Sequence, residues 1–402
     1  MMKSSPLRGP VALACSLILI LLTVNGCKQE IIPEAFLPRT AHEAYVHSLE
    51  QANLHLTALG RDWIHAGRKA LVDAVEVPLP FEEAFIWDPG KAEAAGYRFL
   101  VKRGVRVEVA ITVFSSDSLL LFADLFRERA DTVIHRIHVA TADDQGHRLE
   151  FEPRRDAYYD LRVQPELLRG GRFRILIREV PSLGFPVEGK NSRSIGSFFG
   201  DPRDGGRREH HGVDIFAPRN TPVLAPSNST VSRVGVGDIG GRYVWLYDAE
   251  RSIHLYFAHL ETQEVERGDQ VRAGQLIGTV GNSGNARYTP PHLHFGIYSR
   301  GPINPYYFIA ETDTIPQSIR GDTLLLGRMA RTVNLALMIS SPAHVAAISD
   351  TLERDTLITV TALTGTLARV QLPDGLSGYM PVRQIEPVVD TLMQMHAPGA
   401  LP

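Results

Sequence analysis

Cysteine is nearly missing from the 402 residues: there are two, Cys15 and Cys27, both within the first 27 positions. No disulfide framework can brace anything downstream, so stability has to come from packing or from a bound metal. A surplus of either charge is missing too, with 42 Lys and Arg against 45 Asp and Glu. Such a chain has no basic excess to hold a phosphate backbone, which argues against nucleic acid as a partner. After Leu22 no apolar run approaches the roughly 18 residues of a spanning helix. No His-Glu-x-x-His helix occurs either, which excludes the helical type of metalloprotease. What the chain does have is 44% hydrophobic residues. That is enough for packed cores and, at about 150 residues per domain, for two or three of them.

Residues 1–26 read as an export signal. Lys3 and Arg8 precede the apolar run Val11 to Leu22, which is too short to span a bilayer and ends in small residues. Val24-Asn25-Gly26-Cys27 resembles a bacterial lipobox. The resemblance implies that Cys27 carries a lipid anchor and holds the chain in the cell envelope, facing the periplasm, on the outer membrane if the cell is Gram-negative. Residues 27–39 would then be a tether.

Three changes of pattern follow. In 40–76, Thr40-Ala41-His42-Glu43 has the capping-box form, and Tyr45, Leu49, Ala52, Leu56, Leu59 and Trp63 mark one helical face. That face is interrupted near Gly60, and Gly67 is expected to end the helix. His42, His47, His55 and His65 share no ligand spacing and read as solvated. In 77–182 the period becomes two, as in Val105, Val107, Val109, Ile111 and Val113. Turn signals such as Asp88-Pro89-Gly90 separate the runs, which predicts an antiparallel β-sandwich without a catalytic constellation. From 183 to 310, Gly and Pro crowd between short β-runs, and six of the fifteen histidines gather: 210, 211, 254, 259, 292 and 294.

The spacing of these histidines carries chemistry. His210-His211-Gly212-Val213-Asp214 brings an imidazole and a carboxylate together across a bend. His292-Leu293-His294 lies in a strand-like run, where residues two apart share a face. Two imidazoles and one carboxylate suit a catalytic zinc, which uses three protein ligands and keeps one position open. Spacing alone does not choose His294 over His292, nor His210 over His211. His254, at odd separation from His259, is expected on the opposite sheet face.

The same stretch resembles the lysostaphin-type (LytM-type) zinc metallopeptidase family. The resemblance is carried by Phe185-Pro186-Val187, Ser197 to Gly200, His210 to Ile215, Ala217 to Val223, Ala258-His259-Leu260, Gly274 to Gly278 and Pro291 to Phe295. It implies an antiparallel β domain that cleaves peptide bonds in peptidoglycan. It assigns Zn2+ to His210, Asp214 and His294, leaves His259 and His292 as catalytic residues that do not bind the metal, and makes His211 a bystander. Leu255 and Phe257 stand where the family often has Thr and Tyr, which removes a hydroxyl from the substrate side. Asn282 to Pro291 is a longer loop than usual.

Residues 311–324 form a polar linker. Within 325–387, Arg369 to Met380 includes a Pro-Asp-Gly turn and a Gly-Tyr strand, and it resembles the end of a bacterial SH3-like barrel. Residues 388–402 read as a tail. The fold expected is therefore mainly β: a helix and sandwich, a central metallopeptidase domain and a small C-terminal barrel. The function expected is a lipid-anchored zinc endopeptidase of peptidoglycan. The alternative is a non-catalytic lipoprotein of the same type that binds the wall or activates another hydrolase.

Overall fold

The computed structural model describes residues 40–114, 118–129, 135–311, 315–344 and 346–388; the signal, Cys27, the tether and residues 389–402 lie outside them. The chain begins with α1 (Ala41–Gln51) and α2 (Ala58–Val72), separated by a left-handed Asn53 (φ 58°). Thr57 caps α2, its hydroxyl accepting from the Gly60 amide at 3.1 Å. Gly67 does not end the helix, contrary to expectation. It lies inside α2, where a Cβ would stand 2.4 Å from Gln164 Oε1. Glycine is there for close packing.

His42 also departs from the solvated reading. It is 5% exposed, stacked 4.9 Å from Trp63, and its Nε2–H donates to Gln164 Oε1 at 2.8 Å. Gln164 in turn donates to the Trp63 carbonyl, and the Trp63 indole donates to the Pro165 carbonyl, both at 2.8 Å. Burial pushes the His42 imidazole down to about 4, and the nearby Arg162 charge adds to this.

The alternating runs form the predicted sandwich: β1 (Phe81–Trp87), β2 (Ala95–Val101), β3 (Val105–Phe114), β4 (Leu121–Arg129), β5 (His135–Thr141), β6 (Arg148–Phe151), β7 (Ala157–Pro165) and β8 (Gly171–Pro181). One sheet runs β2-β7-β4-β5 and the other β1-β8-β3-β6. Val107, Ile111, Phe173 and Ile175 fill the space between the sheets with Tyr97, Phe99 and Leu161.

The central domain is an antiparallel sheet. Its strands are β9 (Ile195–Ser197), β10 (Val213–Phe216), β11 (Ser229–Gly237), β12 (Gly241–Asp248), β13 (Ile253–Gln263), β14 (Leu276–Val280) and β15 (His292–Tyr298). Their main order is β9-β10-β15-β13-β12-β11, with β14 pairing β13. Val213, Ile215, Leu255, Phe257, Leu293, Phe295 and Ile297 point into its core. The opposite face is left for the site.

The C-terminal module has β16 (Met329–Thr332), β17 (Ala336–Ile339), β18 (Ile348–Leu352), β19 (Leu357–Thr364), β20 (Leu367–Gln371), β21 (Ser377–Pro381) and β22 (Ile385–Pro387). It has its own core around Met338, Val360, Leu363 and Val370. Its sheet does not stop at the module. β19 pairs with β1 through Ala84↔Leu363 and Phe85↔Ala362, so one sheet path runs from the module into the sandwich. No described helix is long and apolar enough to cross a membrane.

Candidate functional site

Two local features bring the ligand-type residues together. β10 and β15 are antiparallel neighbours, with Asp214 opposite His294 and Phe216 opposite His292. The bend before β10 then swings His210 over Asp214. Gly212 makes this close approach: a Cβ there would stand 2.7 Å from the His294 ring and 2.5 Å from the Phe295 carbonyl. The result is a group in which His210 Nε2, His294 Nδ1 and Asp214 Oδ1 lie 2.9–3.0 Å from one another. Among the described residues this is the one group of three or more such side chains. His211 is exposed at the rim and His254 lies outside the cleft, so the alternatives left open by spacing resolve to His210 and His294.

The surrounding bonds orient the donors. His210 Nδ1–H donates to the Phe198 carbonyl at 2.9 Å, which fixes the tautomer and leaves the Nε2 lone pair facing the Asp214 carboxylate at 3.0 Å. Two lone pairs at that separation need a cation between them, a proton or a metal ion. Arg203 donates to Asp214 Oδ2 at 2.7 Å and to Ser197 Oγ at 2.6 Å, holding the other carboxylate oxygen in place. Burial alone would raise the Asp214 carboxyl. The hydrogen bonds and charge of His210 and His294 outweigh that and hold it far below the usual carboxylate range. Burial lowers His294, with Asp214 opposing. A buried nitrogen, nitrogen and oxygen set with one negative charge, and with hydrogen bonds behind His210 and Asp214, fits zinc. Sequence reasoning missed Arg203, which no spacing rule singles out.

His259 and His292 stand beside this group, their rings 5.1 Å apart and the His259 ring 6.0 Å from His294. Each has Nδ1–H committed to a carbonyl at 2.9 Å, His259 to Ser283 and His292 to Pro290. Both therefore present a bare Nε2. Burial, with the His292 and His294 charges, pushes His259 down to about 4.

The expectation that His254 and His259 occupy opposite faces fails for a local reason. Tyr256 and Ala258 line the cleft, and His254 shares their face, packing on Tyr247 and near Trp245. His259 joins them because its φ is 63°, in the left-handed region, at an irregularity in the β12–β13 and β13–β14 pairing. A bulge reverses parity. Its strain is held by the His259 amide donating to the Gly240 carbonyl at 2.7 Å. Ser283, also missed, ties the loop down: its hydroxyl donates to the Leu260 carbonyl at 2.8 Å and accepts from the Arg242 amide at 2.9 Å.

Phe257 corrects another expectation. It is fully buried against Phe295, so a hydroxyl at that position would face the core and not the substrate. Tyr256 and Tyr298 are the tyrosines that line the cleft. The cleft holds about 510 Å³ and takes in His210, Asp214, His259, His292 and His294. A larger recess of about 590 Å³ lies between the sandwich and the C-terminal module, but no histidine lines it.

Residues 208–305 match the model of Peptidase family M23. The segment is a peptidase M23 domain. Beyond the family model, the chain is 39% identical over 122 residues to an L-Ala--D-Glu endopeptidase of Bacillus subtilis, covering 28% of this chain and 37% of that protein. It is 35% identical over 100 residues to the peptidoglycan DD-endopeptidase ShyC of Vibrio cholerae, covering 25% and 22%. The catalytic domain of lysostaphin from Staphylococcus simulans is a solved structure 35% identical to it, covering 25% of this chain and 77% of that one at a TM-score of 0.24. The chain thus spans little more than a third, at most, of the two curated relatives. These three likenesses each cover 25–28% of this chain.

Proposed function

We propose that the protein is a zinc-dependent metalloendopeptidase that hydrolyses peptide bonds in peptidoglycan, held in the cell envelope by lipid on Cys27. The observation that carries the catalytic part is the convergence of His210, Asp214 and His294 with two further histidines aimed into the same cleft. The relative named as a peptidoglycan DD-endopeptidase supports the substrate class. The anchor rests on the basic, apolar and lipobox pattern of the N-terminus.

In this reading His210, Asp214 and His294 would hold the zinc, with Arg203 and the Phe198 carbonyl keeping the donors in place. When bound, zinc supplies Lewis-acid polarisation and lowers the pKa of water. The rest is done by the chain. With Nδ1–H bonded to backbone, either His259 or His292 can accept at Nε2 the one proton that the attacking water gives up. The imidazolium so formed donates to the oxyanion or to the leaving amine. The half-exposed aromatic rims of the cleft position the peptide.

Asp214→Ala should lose most of its zinc by elemental analysis, since two ligands hold the ion poorly. His259→Ala and His292→Ala should keep the zinc while turnover on purified peptidoglycan falls roughly a hundred- to ten-thousand-fold. If both variants cleave as the wild type does, the roles given to His259 and His292 fall; if the wild type binds zinc and cleaves nothing, the non-catalytic reading replaces this one. For the anchor, Cys27→Ser should move the protein from the membrane fraction to the soluble one. Retention on the membrane through a salt wash would rule the anchor out.

A further inference from the structure

The cleft face of the central sheet does not become polar as it leaves the metal group. A sheet face turned to water normally carries polar side chains at alternate positions. Here those positions on three neighbouring strands are Tyr243, Trp245 and Tyr247 on β12, His254 and Tyr256 on β13, and Tyr298 on β15. Register makes them one surface: Trp245 pairs with Tyr256, Tyr247 with His254, and His254 with Tyr298. The rings touch in sequence. Tyr256 lies 5.8 Å from His294, Trp245 4.4 Å from Tyr256 and 5.2 Å from Tyr298, and Tyr247 4.9 Å from His254. Five of the six are half-buried and His254 is exposed.

Three properties of this surface select its occupant. It is continuous with the cleft, since Tyr256 and Tyr298 line both. Whatever lies on it is therefore joined to what is cleaved. Its polar tips are free: no tyrosine hydroxyl on it, nor the Trp245 indole N–H, has a protein hydrogen-bond partner among the described residues. It also carries almost no charge, the one ionised neighbour in register being Arg233 opposite Trp245. A charged stem peptide would find no set of counter-charges here, and an apolar helix would find hydroxyls in place of an aliphatic groove. Flat rings with uncommitted donors at their edges match a neutral sugar ring, which has apolar C–H faces and a rim of hydroxyl and amide groups.

We propose that this aromatic face is a glycan subsite: pyranose rings of the polysaccharide strand stack on Trp245 and its neighbours while the attached peptide enters the cleft. The inference rests on the peptidase reading for its context but not for its test.

The probe is N-acetylchitotetraose, titrated into the full chain by calorimetry and by tryptophan fluorescence. Wild type should bind it saturably, and Trp245→Ala should weaken binding roughly tenfold or more, the loss of about one stacked ring. On intact peptidoglycan the same variant should raise KM with kcat unchanged, whereas a glycan-free cross-linked peptide should be cleaved as by wild type. Trp245→Phe keeps a stacking face and should restore most of the binding; with His254→Ala it serves if Trp245→Ala folds poorly. Absence of tetrasaccharide binding by wild type overturns the inference, and so does an equal loss on peptide and polymer in Trp245→Ala. A wild type that binds the tetrasaccharide but cleaves neither substrate removes the peptidase reading and leaves the glycan subsite standing.

Discussion

Arg203 shows what one side chain contributes behind a candidate metal-binding carboxylate. Asp214 offers Oδ1 to the histidine pair, and Arg203 holds Oδ2 at 2.7 Å, so the carboxylate cannot rotate away or offer both oxygens to the ion. Arg203→Ala should therefore weaken zinc binding by about ten- to a hundred-fold, read by competition with a chelator, while the fold stays intact. Affinity unchanged from wild type would show that the guanidinium is only a neighbour. The sequence made the two histidine-containing pairs legible because each is local, while the choice of His210 and His294 within them came from the resemblance. His210 and Asp214 are separated by one bend, and His292 and His294 by one strand step. Arg203 was hidden among 42 cationic residues, since its value comes from reaching an oxygen eleven positions away. His259 was placed by motif and misplaced by parity, because a single left-handed residue reverses the face of a strand and leaves no mark in an apolar pattern.

At the level of elements, the helical pair was legible as an amphipathic face, and its break near Gly60 falls close to the real turn. What the pattern could not give was the partner. α2 packs on β2 and β7 and α1 on β4, and His42 is buried beside a glutamine 122 residues away. That contact has a pH signature. Trp63 and Phe122 cover the ring, Arg162 disfavours its charge, and Asp124 favours it more weakly. Folding holds His42 neutral down to about 4, whereas the unfolded chain takes up the proton near the ordinary value of 6.5. The unfolded state thus binds more protons between those values. The stabilisation is complete above 6.5 and is lost as the pH falls towards about 4. By pH 5 the loss should be on the order of 2 kcal/mol. Denaturant titrations at pH 7 and pH 5 should show it in wild type, and His42→Asn, weaker at pH 7, should show a smaller difference. An equal drop in both proteins would assign the acid sensitivity elsewhere.

Across the whole molecule the sequence suggests separate beads, whereas the structure stitches the first and last together. The polar linker and the intervening M23 domain give a sequence reader no reason to pair β1 with β19, nearly 280 residues apart. Yet Ala84 belongs to the core of the C-terminal module and Ala362 to that of the sandwich, so each strand packs into the other's interior. Glu83, fully buried, sits at this seam. It accepts from Tyr97 at 2.7 Å on the sandwich side, and from Tyr379 and Arg369 at 3.0 Å on the module side. A buried carboxylate that depends on both halves penalises their separation, because either half alone would leave it short of partners. Arg369→Met removes the one cationic partner and should cost roughly 3 kcal/mol, the lower end for a broken buried pair since two tyrosines still donate. The coupling itself is read by hydrogen exchange. In wild type the amides of β1, β8 and β19 should exchange in one cooperative event. In Arg369→Met both sides of the seam should lose protection together, while β13 and β15 of the M23 domain should keep theirs. If β19 opens alone and β1 keeps its protection, the module is an independent bead after all, and the continuous sheet adds nothing to the stability of the sandwich.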